Sequence, residues 1–133
     1  MIAGVADTHT VIWYLAADAR LSEAARTFID SAAANGDQIG ISAITLVEMV
    51  YLVERNRIAA QRFTDLAREL EKPESMFAEL ALDLKIARAV TRIRAQEIPE
   101  IADRVIAATA LQHKVAVISR DRKIALSSLK TIW

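Results

Sequence analysis

Cysteine is absent from the 133-residue chain, which excludes zinc ribbons, iron–sulfur clusters, thiol nucleophiles and disulfide scaffolds. Glycine (3) and proline (2) are scarce. Too few tight turns are available for a many-stranded sandwich, so long helices are favoured. The same scarcity removes phosphate-cradling loops, and neither a G-x-G-x-x-G nor a Walker A pattern occurs. No run of about 18 or more uncharged apolar residues exists, so no membrane span is expected. The opening segment MIAGVADTHTVIWYLAA lacks a basic stretch and is interrupted by Asp7 and His9, so it does not read as a signal peptide. A cytoplasmic protein with no membrane partner is the expectation.

What is present describes a folded chain. Apolar residues make up 53% and charged residues 26%, which excludes a disordered or low-complexity protein. The length suits one domain spanning residues 1–133. Seventeen basic side chains balance 17 acidic ones, but unevenly along the chain. Residues 1–84 carry 7 Lys and Arg against 13 Asp and Glu, whereas residues 85–133 carry 10 against 4. A local basic surface can attract polyanions even on a neutral chain, and charge blocks are also common on solvated helices.

Short apolar runs alternate with helical patterns. Strands are expected at residues 2–6, 38–42, 77–82, 114–119 and near 130–133. Helices are expected at 8–17, from Ser22 as N-cap to 34, at 43–54, 58–71 and 84–96, from Pro99 to His113, and briefly after Asp121. Strands alternating with helices imply a three-layer α/β/α sandwich with a short central parallel β-sheet.

Four acids stand out by position. Asp7 follows the first strand and Asp121 follows the strand ending VIS. In open α/β sheets, ligands bind beyond the carboxyl ends of the strands, so both acids would enter one crevice if their strands are neighbours. Each also suits a helix N-cap. Glu48 is the only charged residue in AITLVEMVYLV, with Ile44, Val47, Tyr51 and Leu52 around it on a helix. A carboxylate on such a face neutralises, pairs with a cation, binds a metal, or rolls out to solvent. Asp103 faces Ile106, Ala107 and Ala110 in the first turns of its helix, where the dipole also favours an acid. Together the four suggest an oxygen-only site suited to Mg²⁺ or Mn²⁺ rather than zinc. Such an ion can polarise a phosphodiester and activate water.

The segments DTHTVIW (7–13), ISAITLVEM (41–49), DRVIAATAL (103–111) and SRD (119–121) resemble the acidic motifs of PIN-domain ribonucleases, most closely the VapC-like toxins of type II toxin–antitoxin systems. The resemblance spans essentially the whole chain, in order. It implies a PIN-like fold and an Mg²⁺- or Mn²⁺-dependent endoribonuclease that leaves a 3′-hydroxyl and a 5′-phosphate. It makes Asp7, Glu48, Asp103 and Asp121 the catalytic acids. Asp7 and Asp103 are then direct metal ligands, and Glu48 and Asp121 complete the cluster directly or through water. Thr8 and Ser119 fall where the family often has hydroxyls near that site. The implied partners are an RNA substrate, a cognate protein antitoxin and a second copy of the chain in a homodimer.

Among the basic residues, Lys85, Arg88 and Arg92 share one helix face, and Arg120 and Arg122 flank Asp121. Arg88, Arg92, Arg120 and Arg122 are the candidates for contacting RNA phosphates. Trp13 and Tyr14 suit a core or dimer contact better than a base-stacking role, and His9 and His113 lack the partners of a Ser–His–Asp triad. A D-x-D-x-T phosphatase is excluded because His9 stands at the third position of the motif. The alternative to a nuclease is a non-catalytic module of the same fold that holds RNA or protein without cutting.

Overall fold

A computed structural model describes residues 1–133. Five strands, β1 (Ile2–Ala6), β2 (Gln38–Ser42), β3 (Phe77–Leu80), β4 (Ala116–Ile118) and β5 (Thr131–Ile132), form one sheet in the order β3-β2-β1-β4-β5, and every pairing is parallel. Seven helices connect them: α1 (Thr8–Leu15), α2 (Glu23–Ala34), α3 (Ala43–Glu54), α4 (Ala60–Glu71), α5 (Leu84–Val90), α6 (Ile101–His113) and α7 (Arg122–Ala125). The architecture is the expected α/β/α sandwich around an all-parallel sheet.

Side chains alternate across a strand, and here both faces are covered, so the inner strands are apolar on both sides. Ala6, Ile39, Ile41 and Ile118 pack with Val11, Ile29, Met49 and Leu66 from α1 to α4. Val5 and Val117 face the other way, onto Ile86 and Ala89 of α5, Ile106 and Ala107 of α6, and Ile124 of α7. Every residue from Val105 to Ala110 is buried, because α6 lies between the sheet and α5. Its alanines allow that close approach. By contrast α3 leaves an apolar face uncovered, with Val47 64% and Tyr51 49% exposed.

Several boundaries move inward from the sequence expectation. The helix expected over 84–96 stops at Val90, where the Thr91 hydroxyl donates to the Arg88 carbonyl at 2.6 Å. Beyond it, Arg104 of α6 donates to the carbonyls of Val90 and Ile93 at 3.3 and 3.0 Å, and Ile93 and Ile98 are buried as separate anchors. Burial of a turn thus replaces two further helical turns. The helix expected from Pro99 begins at Ile101 with Glu100 in the cap position, α4 begins at Ala60 rather than Ile58, and α1 ends at Leu15. The strands expected at 77–82 and 114–119 shorten to 77–80 and 116–118, each keeping only the residues paired to a neighbour.

Candidate active site

The sheet order places β1 beside β4, with Ala6 opposite Ile118. The chain reverses its direction of growth between these two strands, and a crevice opens beyond their carboxyl ends. Asp7 and the 119–121 turn leave the strands at that crevice. The Asp7 amide donates to the Ile118 carbonyl at 3.1 Å, and the Thr10 hydroxyl donates to the same oxygen at 2.8 Å. These bonds lock the start of α1 against the end of β4.

Asp7 caps α1, accepting from the Thr10 amide at 2.9 Å, and its second carboxylate oxygen accepts from the buried Ser119 hydroxyl. Ser119 in turn accepts from the Asp121 amide at 2.9 Å, and Asp121 caps α7 through the Lys123 amide at 2.8 Å. Capping and site geometry therefore coexist in both acids. A helix begins at the point where its capping carboxylate meets the crevice.

Glu48 reaches the crevice from α3. The Thr8 hydroxyl donates to it, and that same oxygen lies 3.2 Å from the hydroxyl of Thr45, one turn before Glu48. Thr8 and Thr45 are buried. No Arg or Lys pairs with Glu48; a hydroxyl pair on two helices orients it instead. Asp103 enters from the first turn of α6.

These four acids, with Thr8 and Glu100, line one cavity of about 410 Å³. Its remaining walls are His9, Trp13, Arg20 and Arg120. No salt bridge reaches Asp7, Glu48, Asp103 or Asp121. Burial, followed by the charges of Asp121, Glu100, Glu48 and Asp7, pushes the Asp103 carboxyl up from 3.8 to about 7. The favourable dipole at the start of α6 does not offset that crowding. Nevertheless, no three His, Asp or Glu side chains converge closely enough, as they stand, to hold one ion between them.

Of the expected basic residues, Arg120 alone lines this cavity; Arg88 and Arg92, on and just after α5, and Arg122 on α7 do not. Ser119 is buried behind Asp7 and binds it. Sequence reasoning overlooked Glu100 and Arg20 and set Trp13 aside as a core or dimer contact. Trp13 is indeed 5% exposed, yet it forms a cavity wall, with Arg20 and Arg120 over its ring. Only Glu100 offered a local signal, standing three residues before Asp103 at a helix start.

Comparison with known proteins agrees with this fold. The model of the PIN domain family matches residues 5–127. The ribonuclease VapC22 of Mycobacterium tuberculosis is 27% identical over 118 residues, covering 89% of this chain and 86% of that protein. Among solved structures, a chain of VapBC2 from Rickettsia felis, crystallised bound to a DNA fragment from their promoter, aligns with a TM-score of 0.71 at 18% identity, covering 98% of this chain and 97% of that one. A chain of FitAcB from Neisseria gonorrhoeae aligns with a TM-score of 0.62 at 27% identity, covering 98% and 96%. With a family match running from the first strand to the last helix, the chain belongs to the PIN-domain family.

Proposed function

We propose that the chain is an Mg²⁺- or Mn²⁺-dependent endoribonuclease and the toxin of a toxin–antitoxin module. The observation that carries the reading is the cavity at the β1–β4 crevice, where acids from four separate elements meet with no basic ion-pair partner. Unneutralised carboxylates so arranged repel, and that repulsion adds to burial, the larger cause, in raising the Asp103 carboxyl. Their charge fits a divalent cation. Mg²⁺ is commonly held by one or two carboxylates and its own waters, so an ion here does not require three converging side chains. The relative named a ribonuclease supports RNA as the substrate.

When bound, such a cation polarises the phosphodiester and lowers the pKa of a coordinated water. Asp7 and Asp103 would hold it, with Glu48 and Asp121 completing the set. The hydroxyls of Thr8 and Ser119 orient Glu48 and Asp7 at the cavity wall before any ion binds. With its carboxyl pushed up to about 7, Asp103 is about half protonated near neutrality and would release that proton on holding the ion. Neighbours drawn from VapBC and FitAB complexes support a cognate protein antitoxin as partner. The uncovered apolar face of α3 is consistent with a homodimer.

The test is cleavage of a fluorescent single-stranded RNA by the purified chain in Mg²⁺, Mn²⁺ or EDTA. Wild type should cut only with the metal. Asp7→Asn should cut at least about 100-fold more slowly with its fold unchanged, because asparagine still caps α1 but lacks the charge. Equal cleavage by Asp7→Asn would remove the site from this cavity. Binding without cleavage in either metal would favour the non-catalytic module.

A further inference from the structure

The cavity combines two opposite chemistries. Besides its acids, it is lined by the indole of Trp13 with two guanidiniums against it, Arg20 at 5.1 Å and Arg120 at 4.7 Å from the ring centroid. Trp13 is held firmly, buried to 5% exposure and contacted by His9 and Trp133 at ring-centroid distances of 5.6 and 5.9 Å.

The two arginines are not equivalent. Arg20 forms a two-pronged pair with Asp18, at 3.0 and 2.7 Å, so its charge is already paired and two of its five donors close the turn after α1. Arg120 has no carboxylate within salt-bridge reach and donates no side-chain hydrogen bond, although five acids line the same cavity. A guanidinium stacked on an indole keeps its donor edge open, and that fork matches a phosphate.

We propose that Arg120, stacked on Trp13, is an anion subsite that holds a phosphate of the RNA strand next to the one at the acids, with Arg20 and Asp18 as its fixed support. The inference rests on the reading that this chain acts on RNA, and it adds the residue that positions the strand. A phosphodiester carried by a cation sits at the acids, and its neighbour sits on the bare guanidinium.

The test is titration of a labelled single-stranded RNA in EDTA at several salt concentrations, with the RNA verified intact on a gel. Arg120→Gln should bind about tenfold more weakly, as expected on losing a charge-assisted contact. It should also flatten the plot of log affinity against log salt by about 0.7, the value for one phosphate contact on a single strand. Arg120→Lys should keep the slope but recover only part of the affinity, because an ammonium cannot stack and fork together. Arg68→Gln, an equal charge change at an exposed position of α4, should alter neither. Wild type that binds RNA while Arg120→Gln matches it in affinity and slope would overturn the subsite alone. Full recovery by lysine, or an equal loss in Arg68→Gln, would also overturn it. Absence of RNA binding by wild type would overturn this inference, and the nuclease reading falls with it if the same protein does not cleave RNA in Mg²⁺ or Mn²⁺.

Discussion

Replacing Asp103 with asparagine should stabilise the chain in EDTA, and the gain should grow with pH. Asp103 lies half-buried on α6, facing Asp121, Glu100, Glu48 and Asp7. Burial first, and then those charges, raise its carboxyl from 3.8 to about 7. The folded state therefore binds more protons than the unfolded chain between those values, and stability falls as pH rises through that window. Below the unfolded value the contribution is fully present; above about pH 7 it is gone. A tenfold change in proton affinity is worth about 1.4 kcal/mol, so the rise sets a ceiling of about 4 kcal/mol. Solvent screening of a half-exposed group reduces this to about 1–2 kcal/mol. For a chain of this size, that is a melting rise of about 3–10 °C at pH 8. Asparagine does not titrate, so the two proteins should melt together near pH 4 and diverge toward pH 8. Added Mn²⁺ should then reverse the order, because an ion that binds only the folded acidic site stabilises wild type more than the variant. Thermal melts from pH 4 to 8.5, with and without Mn²⁺, provide the measurement. A gap that does not change with pH, or a variant that melts lower in EDTA at pH 8, would refute the clustering of these acids.

Two further perturbations probe the scaffold of the site. Ser119→Ala removes the buried donor to Asp7 and the acceptor of the Asp121 amide, so it should cost about 1–3 kcal/mol by denaturant titration. It should also slow RNA cleavage more than it weakens RNA binding, since Asp7 loses its fixed orientation while Arg120 is untouched. Arg104→Met keeps the aliphatic stem but removes the charged donors from the Val90 and Ile93 carbonyls, and should cost about 1–3 kcal/mol. Hydrogen exchange should then rise first at residues 91–98, with cleavage per folded molecule unchanged.

Much of the fold was legible because its signals are local. KVAVIS, QIGIS and IAGVA are short apolar runs bounded by polar residues, and all three contribute strands to the sheet. Ser22 before Glu23 announced α2, and the Ser22 hydroxyl does accept from the Ala25 amide at 3.0 Å. Periodicity failed after Val90, where Arg94 and Gln96 continue a helical pattern although the backbone leaves it. There the deciding contacts come from α6, 11 and 14 residues along the chain.

The sequence by itself determined which carboxylates end strands and begin helices, and that Glu48 sits alone among apolar neighbours on α3. Those are properties of neighbours within a few residues, set by backbone period and capping. Tertiary structure decided that β4 returns beside β1, bringing Asp121 close to Asp7 across a separation no local rule spans. It also decided that Glu48 is oriented by Thr8 rather than paired with an arginine, and that Glu100 joins the acids. Trp13 shows the same division. Its apolar neighbours marked it for burial, but only the packed chain lays Arg20 and Arg120 on its ring. Charge repulsion and cation–π attraction depend on distances through space, and those distances exist only once the sheet order is set.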